Sequence, residues 1–108
     1  MRLKIYRNED VKRIVVFIPE GHVHARLILE LDDQTIILQE ATAAAIVRAY
    51  ASVAIHPTRR AVELIGSRLK EGKPSYAEYQ VLESSRSEEE VLREAEEMWL
   101  TAKPHKAE

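Results

Sequence analysis

Cationic and aromatic side chains recur at alternate positions in the first quarter of the chain. Alternation in an extended segment places every second side chain on the same side of a strand. The side chains that share this pattern are Lys4, Tyr6, His22, His24 and Arg26, and Arg13 and Phe17 join them if their row of the second strand points the same way. Cations neutralise phosphates, and flat rings stack on unpaired bases. The pattern therefore predicts a sheet face that binds single-stranded nucleic acid.

The residue types on this surface predict which part of a nucleic acid each side chain would contact. Phosphate contacts are expected from Lys4, Arg13, Arg26 and the pair Arg59 and Arg60. Stacking on bases is expected from Tyr6 and Phe17, and His22 and His24 can stack or donate hydrogen bonds. The alternatives are a solvated sheet face and a protein interface, because exposed Val15 and Phe17 would form an apolar patch.

The pair Arg59 and Arg60 follows Pro57 and Thr58, where a helix is expected to begin. Backbone N–H groups at a helix N-terminus attract anions, and two guanidinium groups would reinforce phosphate binding. The alternative is an exposed pair that offsets the charge of Glu63. Both interpretations stay open from the residues alone.

Chemistry other than binding has weak support in this sequence. His22 and His24 could ligate a metal with Glu20, Glu40 or His56, which would suggest a metal-dependent hydrolase. Two histidines are too few for such a site, and the chain has no cysteine. None of the common phosphate-binding or hydrolase motifs occurs. We therefore expect no metal, no cofactor, no small-molecule substrate and no enzymatic activity.

Charge is distributed unevenly along the 108 residues, whose net charge is −2. Residues 1–86 hold 13 Lys and Arg against 11 Asp and Glu, whereas residues 87–108 hold 3 against 7. Many charges and few thermolabile residues are typical of thermophiles. No apolar run reaches the roughly 20 residues of a membrane helix, and the first residues lack a signal-peptide pattern. We expect a soluble cytoplasmic protein without a membrane partner.

The first 39 residues have the period of β-strands. Alternating or β-branched runs at residues 2–6, 11–18, 22–31 and 35–39 predict four strands. Short turns at 7–10, 19–21 and 32–33 connect them, which favours an antiparallel meander. One face of the third strand, with Leu27, Leu29 and Leu31, should pack against helices.

The rest of the chain has a mainly helical pattern. Thr42 can cap a helix that ends near His56, with an apolar stripe through Ile46, Val47 and Tyr50. Thr58 can cap a second helix that ends near Glu71, with a strand over 61–69 as the alternative. Residues 76–83 favour a helix slightly over a strand. Ser87 begins an acidic amphipathic helix over 88–102.

These elements predict one α+β domain over residues 1–102, followed by a flexible tail at 103–108. The predicted architecture is a four-stranded antiparallel meander sheet followed by three to four helices that cover one face. Tyr50, Tyr76, Tyr79 and Trp99 are expected to pack in the core or at an interface.

The segments Glu40–Tyr50 and His56–Leu64, with the alternating run His22–Glu30, resemble the archaeal ThermoDBP family and its relatives in thermophilic archaea. The likeness covers about residues 2–100. It implies a sequence-tolerant single-stranded DNA-binding protein that has a small antiparallel sheet backed by helices and forms a homo-oligomer. Founding members of the family carry a long C-terminal coiled coil, whereas one short helix is predicted here, so the oligomer interface would differ.

The functional prediction is non-catalytic binding of single-stranded DNA, with RNA as an alternative ligand, in a groove of basic, aromatic and apolar residues on the sheet. The alternative is a protein-interaction or oligomeric assembly module that uses the same apolar sheet face. The two hypotheses differ in one observable property, because only the first predicts salt-dependent binding of a single strand.

Overall fold

The computed structural model describes residues 3–68 and 79–104, and these form an α+β structure. Within those ranges the strands are β1 (Lys4–Ile5), β2 (Val11–Phe17), β3 (Arg26–Leu31), β4 (Thr35–Gln39), β5 (Leu64–Arg68), β6 (Tyr79–Glu83) and β7 (Lys103–Pro104). The helices are α1 (Glu40–Ala54) and α2 (Glu88–Thr101). The described backbone groups into two compact units, residues 3–39 with 93–104 and residues 40–68 with 79–92.

The first unit contains a three-stranded antiparallel sheet in the order β2-β3-β4. The turn after β2 is closed by the N–H of His22, which donates to the carbonyl oxygen of Pro19 at 3.0 Å. Gly21 has a φ of 80°, a conformation that a type II turn requires at its third position. The turn between β3 and β4 is closed by the N–H of Leu31, which donates to the carbonyl of Gln34 at 2.8 Å. These turns confirm the antiparallel connections predicted for these three strands.

The predicted four-stranded meander is wrong, because β1 does not join this sheet. β1 pairs instead with β7 in parallel, with Lys4 opposite Lys103. A 3-10 turn over Asn8–Asp10 separates β1 from β2. In that turn the buried Asp10 accepts the N–H of Arg7 through Oδ2 at 2.8 Å. The first two residues of the predicted flexible tail therefore form a strand, and residues 105–108 lie outside the described ranges.

The prediction of three to four helices is also wrong, because the described residues contain two. The predicted helix after Thr58 is replaced by an irregular segment and then β5, and Tyr79–Glu83 forms β6 rather than a helix. β5 and β6 pair antiparallel from Leu64 opposite Glu83 to Arg68 opposite Tyr79. Cross-strand pairing outweighs the weak helical pattern here, because Gly66 lowers helix propensity. Residues 69–78, which include Tyr76, lie outside the described ranges.

Helix α1 packs on β6 through its small side chains. Ala45 is only 2% exposed, and Ala49 and Ser52 on the same side are half-buried. The predicted apolar stripe of this helix is not the packed face, because Val47 and Tyr50 are exposed. The most buried side of the helix therefore holds small residues, and its larger side chains Val47 and Tyr50 lie on the exposed side.

Burial is sparse throughout the described residues. Leu31 and Ala45 are the buried apolar side chains among them, although many larger side chains are apolar. Tyr50, Tyr79 and Trp99 are exposed, so they do not pack in a core, and packing at an interface stays a prediction. Among the described helices, none combines the length and the apolar character that a membrane span requires.

Helix α2 begins where the capping pattern predicted. The N–H of Glu90 donates to Oγ of Ser87 at 3.2 Å, and Glu88, Glu89 and Glu90 fill the first turn. Carboxylates there interact favourably with the positive end of the helix dipole. The predicted helix over 88–102 is thus confirmed to within one residue at its end.

We expect Ser87→Ala to lower the free energy of unfolding by about 1 kcal/mol, because one N–H at the start of α2 loses its acceptor. Urea denaturation followed by circular dichroism measures this change. Ser85→Ala, at an exposed position in the preceding bend, is the matched control and should change stability by less than about 0.5 kcal/mol. Equal losses in the two variants would contradict a specific capping role.

Candidate nucleic-acid interface

The register of the three-stranded sheet decides which side chains share a surface. From Arg13 to Phe17, β2 pairs regularly with β3, and β3 pairs with β4 over its first five residues. Because directly opposed residues point to the same side, one face is fixed by this register. This surface, here called the basic–aromatic face, consists of Arg13, Val15, Phe17, Arg26, Ile28, Glu30, Thr35, Ile37 and Gln39.

The first row of the basic–aromatic face, which runs across the three strands, contains an aromatic ring beside a cation. Phe17 lies directly opposite Arg26, which in turn lies opposite Gln39. The Nη1 atom of Arg26 donates to the carbonyl oxygens of His24 at 3.0 Å and Ala25 at 3.2 Å. A guanidinium has five N–H donors, so these two bonds fix its orientation and leave donors for an anion.

The middle row is entirely apolar. Val15 lies opposite Ile28, which lies opposite Ile37. Ile37 is 64% exposed, although Val15 and Ile28 are half-buried. This row gives the face an apolar strip beside the Phe17 ring.

The third row contains an ion pair. Nε of Arg13 donates to Oε2 of Glu30 at 2.7 Å, and Thr35 completes the row. Arg13 is exposed and Glu30 is half-buried, so solvent screens the pair and it is worth at most about 1 kcal/mol. Glu30 nevertheless reduces the positive potential that Arg13 would present to a phosphate.

The opposite face of the same sheet is uniformly apolar. Its members are Ile14, Val16, Leu27, Leu29, Ile36 and Leu38. Leu27 and Leu29 are half-buried, as is usual for a central strand, whereas Ile14 and Val16 on β2 are 62% and 66% exposed. The two predicted rows of β2 therefore do lie on different faces.

Lys4 and Tyr6 are held at the turn between β3 and β4 and do not belong to the basic–aromatic face. The hydroxyl of Tyr6 donates to both carboxylate oxygens of Asp33 at 3.0 Å and accepts from Nε2 of Gln34 at 2.7 Å. Nζ of Lys4 lies 3.6 Å from Oδ2 of Asp33. The prediction that they alternate on a first strand of the same sheet fails because β1 pairs with β7.

His22 and His24 precede β3, which begins at Arg26 rather than at residue 22. Both histidines are exposed in the connection from the Pro19 turn. A strand-like alternation with Arg26 is therefore absent at these two positions. Within the described ranges, no group of three or more His, Cys, Asp and Glu side chains is arranged to hold a metal ion.

Arg59 belongs to the second unit, where it links three segments. Its Nη1 donates to Oγ of Ser52 on α1 at 2.9 Å, its Nη2 contacts the carboxylate of Glu83 on β6, and its Nε donates to the carbonyl of Ala61 at 3.4 Å. This geometry gives Arg59 a structural role in positioning α1 beside the hairpin. No sequence signal pointed to Glu83, because it lies 24 residues away.

A cleft of about 180 Å³ lies between α1 and the β5–β6 hairpin. Its walls are mainly apolar, with Ser52, Arg48 and Glu83 as the polar contributors. The volume is below the roughly 300 Å³ at which small-molecule sites begin.

The backbone beside Arg60 binds an anion that the chain itself supplies. No helix begins at Thr58, so the predicted helix-terminal phosphate site does not form. Oε1 of Glu88 accepts the N–H of Arg60 at 2.5 Å and the N–H of Ala61 at 3.3 Å. These two hydrogen bonds lower the pKa of Glu88 from its ordinary value of 4.5. The N–H groups expected to face a phosphate therefore face this carboxylate.

The structure thus brings together three of the nine predicted contact residues, Arg13, Phe17 and Arg26, on one face. The other six lie in different segments. No protein-family model, curated protein or solved structure matches the chain. The chain's own geometry is therefore the basis for assigning a function.

The lowered pKa of Glu88 predicts a defined dependence of stability on pH. Because the carboxylate is favoured in the folded state, its contribution is present above pH 4.5 and is lost as pH falls through the lower folded pKa. Glu88→Gln should therefore destabilise the protein near neutral pH, and the difference from wild type should shrink in acid.

Urea denaturation at several pH values from about 7 down to about 3 measures this difference. Glu89→Gln, an exposed neighbour in the same turn, is the control for the loss of one acidic charge. A stability difference that is the same at every pH would contradict the assigned role of the Glu88 carboxylate.

Proposed function

We propose that this protein binds single-stranded DNA on the basic–aromatic face without catalysis, with RNA as an alternative ligand. The observation that carries the proposal is the register that sets Phe17 directly opposite Arg26, beside an apolar row of which Ile37 is exposed. A cation and an aromatic ring on one surface are the two components that sequence-tolerant binding of a single strand combines. Specific enzymatic chemistry has no comparable support.

The distance between neighbouring strands matches the proposed contacts. Opposed side chains in an antiparallel pair have Cβ atoms about 5 Å apart, so the Phe17 ring and the Arg26 side chain are neighbours. A base stacked on Phe17 would place its phosphate within reach of the guanidinium donors that Arg26 retains. The two backbone bonds of Arg26 hold that group in place before the ligand arrives, which lowers the entropy lost on binding.

The apolar row supports tolerance of base sequence. Val15, Ile28 and Ile37 have no hydrogen-bond donors or acceptors on their side chains, so they cannot read base edges by hydrogen bonding. Sequence-tolerant binding to single-stranded DNA is also what the resemblance to the ThermoDBP family implies. We keep His22 and His24 as secondary contacts, since they precede Arg26 in the chain, and we assign no ligand contact to Lys4, Tyr6 or Arg59.

A second candidate function is a non-enzymatic protein-interaction module. The observation that favours it is the apolar opposite face of the sheet, where Ile14 and Val16 are mostly exposed. Exposed apolar patches on a soluble domain often mark protein interfaces. This candidate predicts a stable complex that forms without nucleic acid.

The proposed function predicts different effects for the ring and the cation. Phe17→Ala should weaken binding by about 1–3 kcal/mol with little change in salt dependence, because stacking releases no counterions. Arg26→Ala should reduce the slope of log K against log salt by roughly 1. Fluorescence anisotropy with a labelled strand of about 20 nucleotides, long enough for site sizes of roughly 4–16, measures both effects.

The matched controls are Ile46→Ala for the loss of an exposed apolar side chain and Arg93→Ala for the loss of an exposed arginine. Both should bind like the wild type. A labelled duplex should bind more weakly than the single strand at every salt concentration. Wild-type affinity in both Phe17→Ala and Arg26→Ala would exclude the basic–aromatic face as the binding surface.

The ion pair on the third row predicts a variant that binds nucleic acid more tightly than the wild type. Glu30→Gln removes the carboxylate that competes with phosphate for Arg13, so it should tighten binding by up to about fivefold at low salt. The salt dependence should also steepen, because Arg13 then displaces counterions from the nucleic acid. Arg13→Ala combined with Glu30→Gln should abolish the gain, and a gain that persists in the double variant would show that Arg13 is not responsible.

A further inference from the structure

We propose that β2 pairs antiparallel with β2 of a second copy of this chain, about a two-fold axis that passes beside Val15. The sheet order is β2-β3-β4, so β2 is an edge strand. No other described strand pairs with its outer side. An edge strand presents a row of backbone donors and acceptors that can pair with another chain.

The residues of this edge strand favour pairing with another strand, because the features that usually prevent such pairing lie outside its apolar part. Ile14 through Ile18 form five consecutive apolar residues without a charge or a proline. Ile14, Val16 and Ile18 are each more than half exposed. Natural edge strands are usually protected by lysine, proline or a bulge within the strand. Here Lys12 and the register irregularity lie at the start of the strand, and Pro19 lies beyond its end.

A second copy of the chain can pair with this edge without placing like charges opposite each other. In an antiparallel pair, directly opposed side chains point to the same side of the sheet. Two copies of β2 related by a two-fold axis satisfy this condition only when the axis passes beside one residue, which then faces its own copy. The regular part of the strand runs from Arg13 to Phe17, and its centre is Val15. An axis beside Arg13 would instead oppose two arginines, which is unfavourable.

The register centred on Val15 opposes compatible side chains. Val15 meets Val15 of the second copy, and Ile14 meets the second copy's Val16. Arg13 meets the second copy's Phe17, a cation beside an aromatic ring, which is an attractive arrangement. No like charges lie directly opposite each other in this register.

The sparse burial within one chain also favours a second copy. Leu31 and Ala45 are the buried apolar side chains among the described residues, so apolar burial within one chain is small. Pairing at β2 would extend the apolar opposite face through Ile14 and Val16 of both copies. That face would then continue across a six-stranded sheet.

One consequence rests on the proposed function, although the pairing itself does not. In the paired sheet the row Phe17, Arg26 and Gln39 of one copy continues into Arg13, Glu30 and Thr35 of the other. Each such row then holds two arginines and one aromatic ring across six strands, or about 24 Å at normal strand spacing. The proposed nucleic-acid surface therefore becomes continuous only in the dimer.

Single cysteines test the interface directly, because the natural chain has none and an introduced thiol can bridge only to another copy. Val15→Cys should give mainly disulfide-linked dimer on mild oxidation, since directly opposed strand positions satisfy disulfide geometry. A mixture of Ile14→Cys and Val16→Cys should cross-link more than either variant alone. Ile37→Cys on the other edge strand, with similar exposure to Val16, should stay uncross-linked.

Light scattering of Val16→Lys provides the second measurement. This variant should halve the molar mass of the wild type, whereas Ile37→Lys, matched in exposure, should leave it unchanged. Circular dichroism shows whether each variant is folded, and the cysteine series does not depend on a destabilising charge. A monomeric wild type, or an oligomer that Val15→Cys fails to cross-link, overturns the proposal.

The failure of this proposal is distinguishable from failure of the proposed function. A wild type that binds single-stranded DNA without β2 cross-links would overturn the pairing alone. Efficient cross-linking at position 15 without nucleic-acid binding would support the pairing and overturn the proposed function. With both correct, Val16→Lys should bind DNA at least tenfold more weakly, although it retains Arg13, Phe17 and Arg26.

Discussion

The register between β2 and β3 is the constraint on which every property of the candidate interface depends. Regular pairing starts at Arg13, after a shift between Val11 and Arg13, and from that point each β2 side chain has a fixed partner. A slip by one residue would move the whole apolar row to the other face of the sheet. Phe17 would then point away from Arg26, and the ring and the cation could not bind one ligand together.

Local patterns in the sequence predicted the parts of the fold that depend on neighbouring residues. The alternation along β2 and along β3 predicted which residues of each strand share a face, because strand side chains have a period of two. The turns at Gly21 and Asp32 and the cap at Ser87 follow from the preferences of those residue types. The same reasoning left open whether the row of Arg13 and Phe17 shares the face of Arg26, and the observed register shows that it does.

The elements of the fold that could not be predicted from the sequence are those that depend on partners far away along the chain. β1 is two residues long and its partner strand lies nearly 100 positions away, so no local pattern could show that pairing. β5 has a helix-compatible pattern as well as a strand pattern, and only its pairing with β6 decides between them. The contacts of Arg59 with Glu83 and of Arg60 with Glu88 span more than 20 residues, so no local pattern could show them either.

Ion pairs within the chain reduce the positive charge that its arginines present to an external anion. Arg13, Arg59 and Arg86 each contact a carboxylate, so much of the positive charge has a partner within the chain. An exposed pair such as Arg13 with Glu30 is weak, and a phosphate can replace the carboxylate at small cost. Arg59 is less exposed and bridges three segments, so replacing its carboxylate partner by a phosphate would also disturb the hairpin.

The small-residue contact between α1 and β6 determines how freely that helix can change during evolution. Ala45 is almost completely buried, so a larger side chain there would have to displace its neighbours. Ile46, Val47 and Tyr50 lie on the exposed side and could vary in size without that consequence. The evolutionary constraint on α1 therefore falls on its smallest side chains, and its largest ones are free to diverge between related chains.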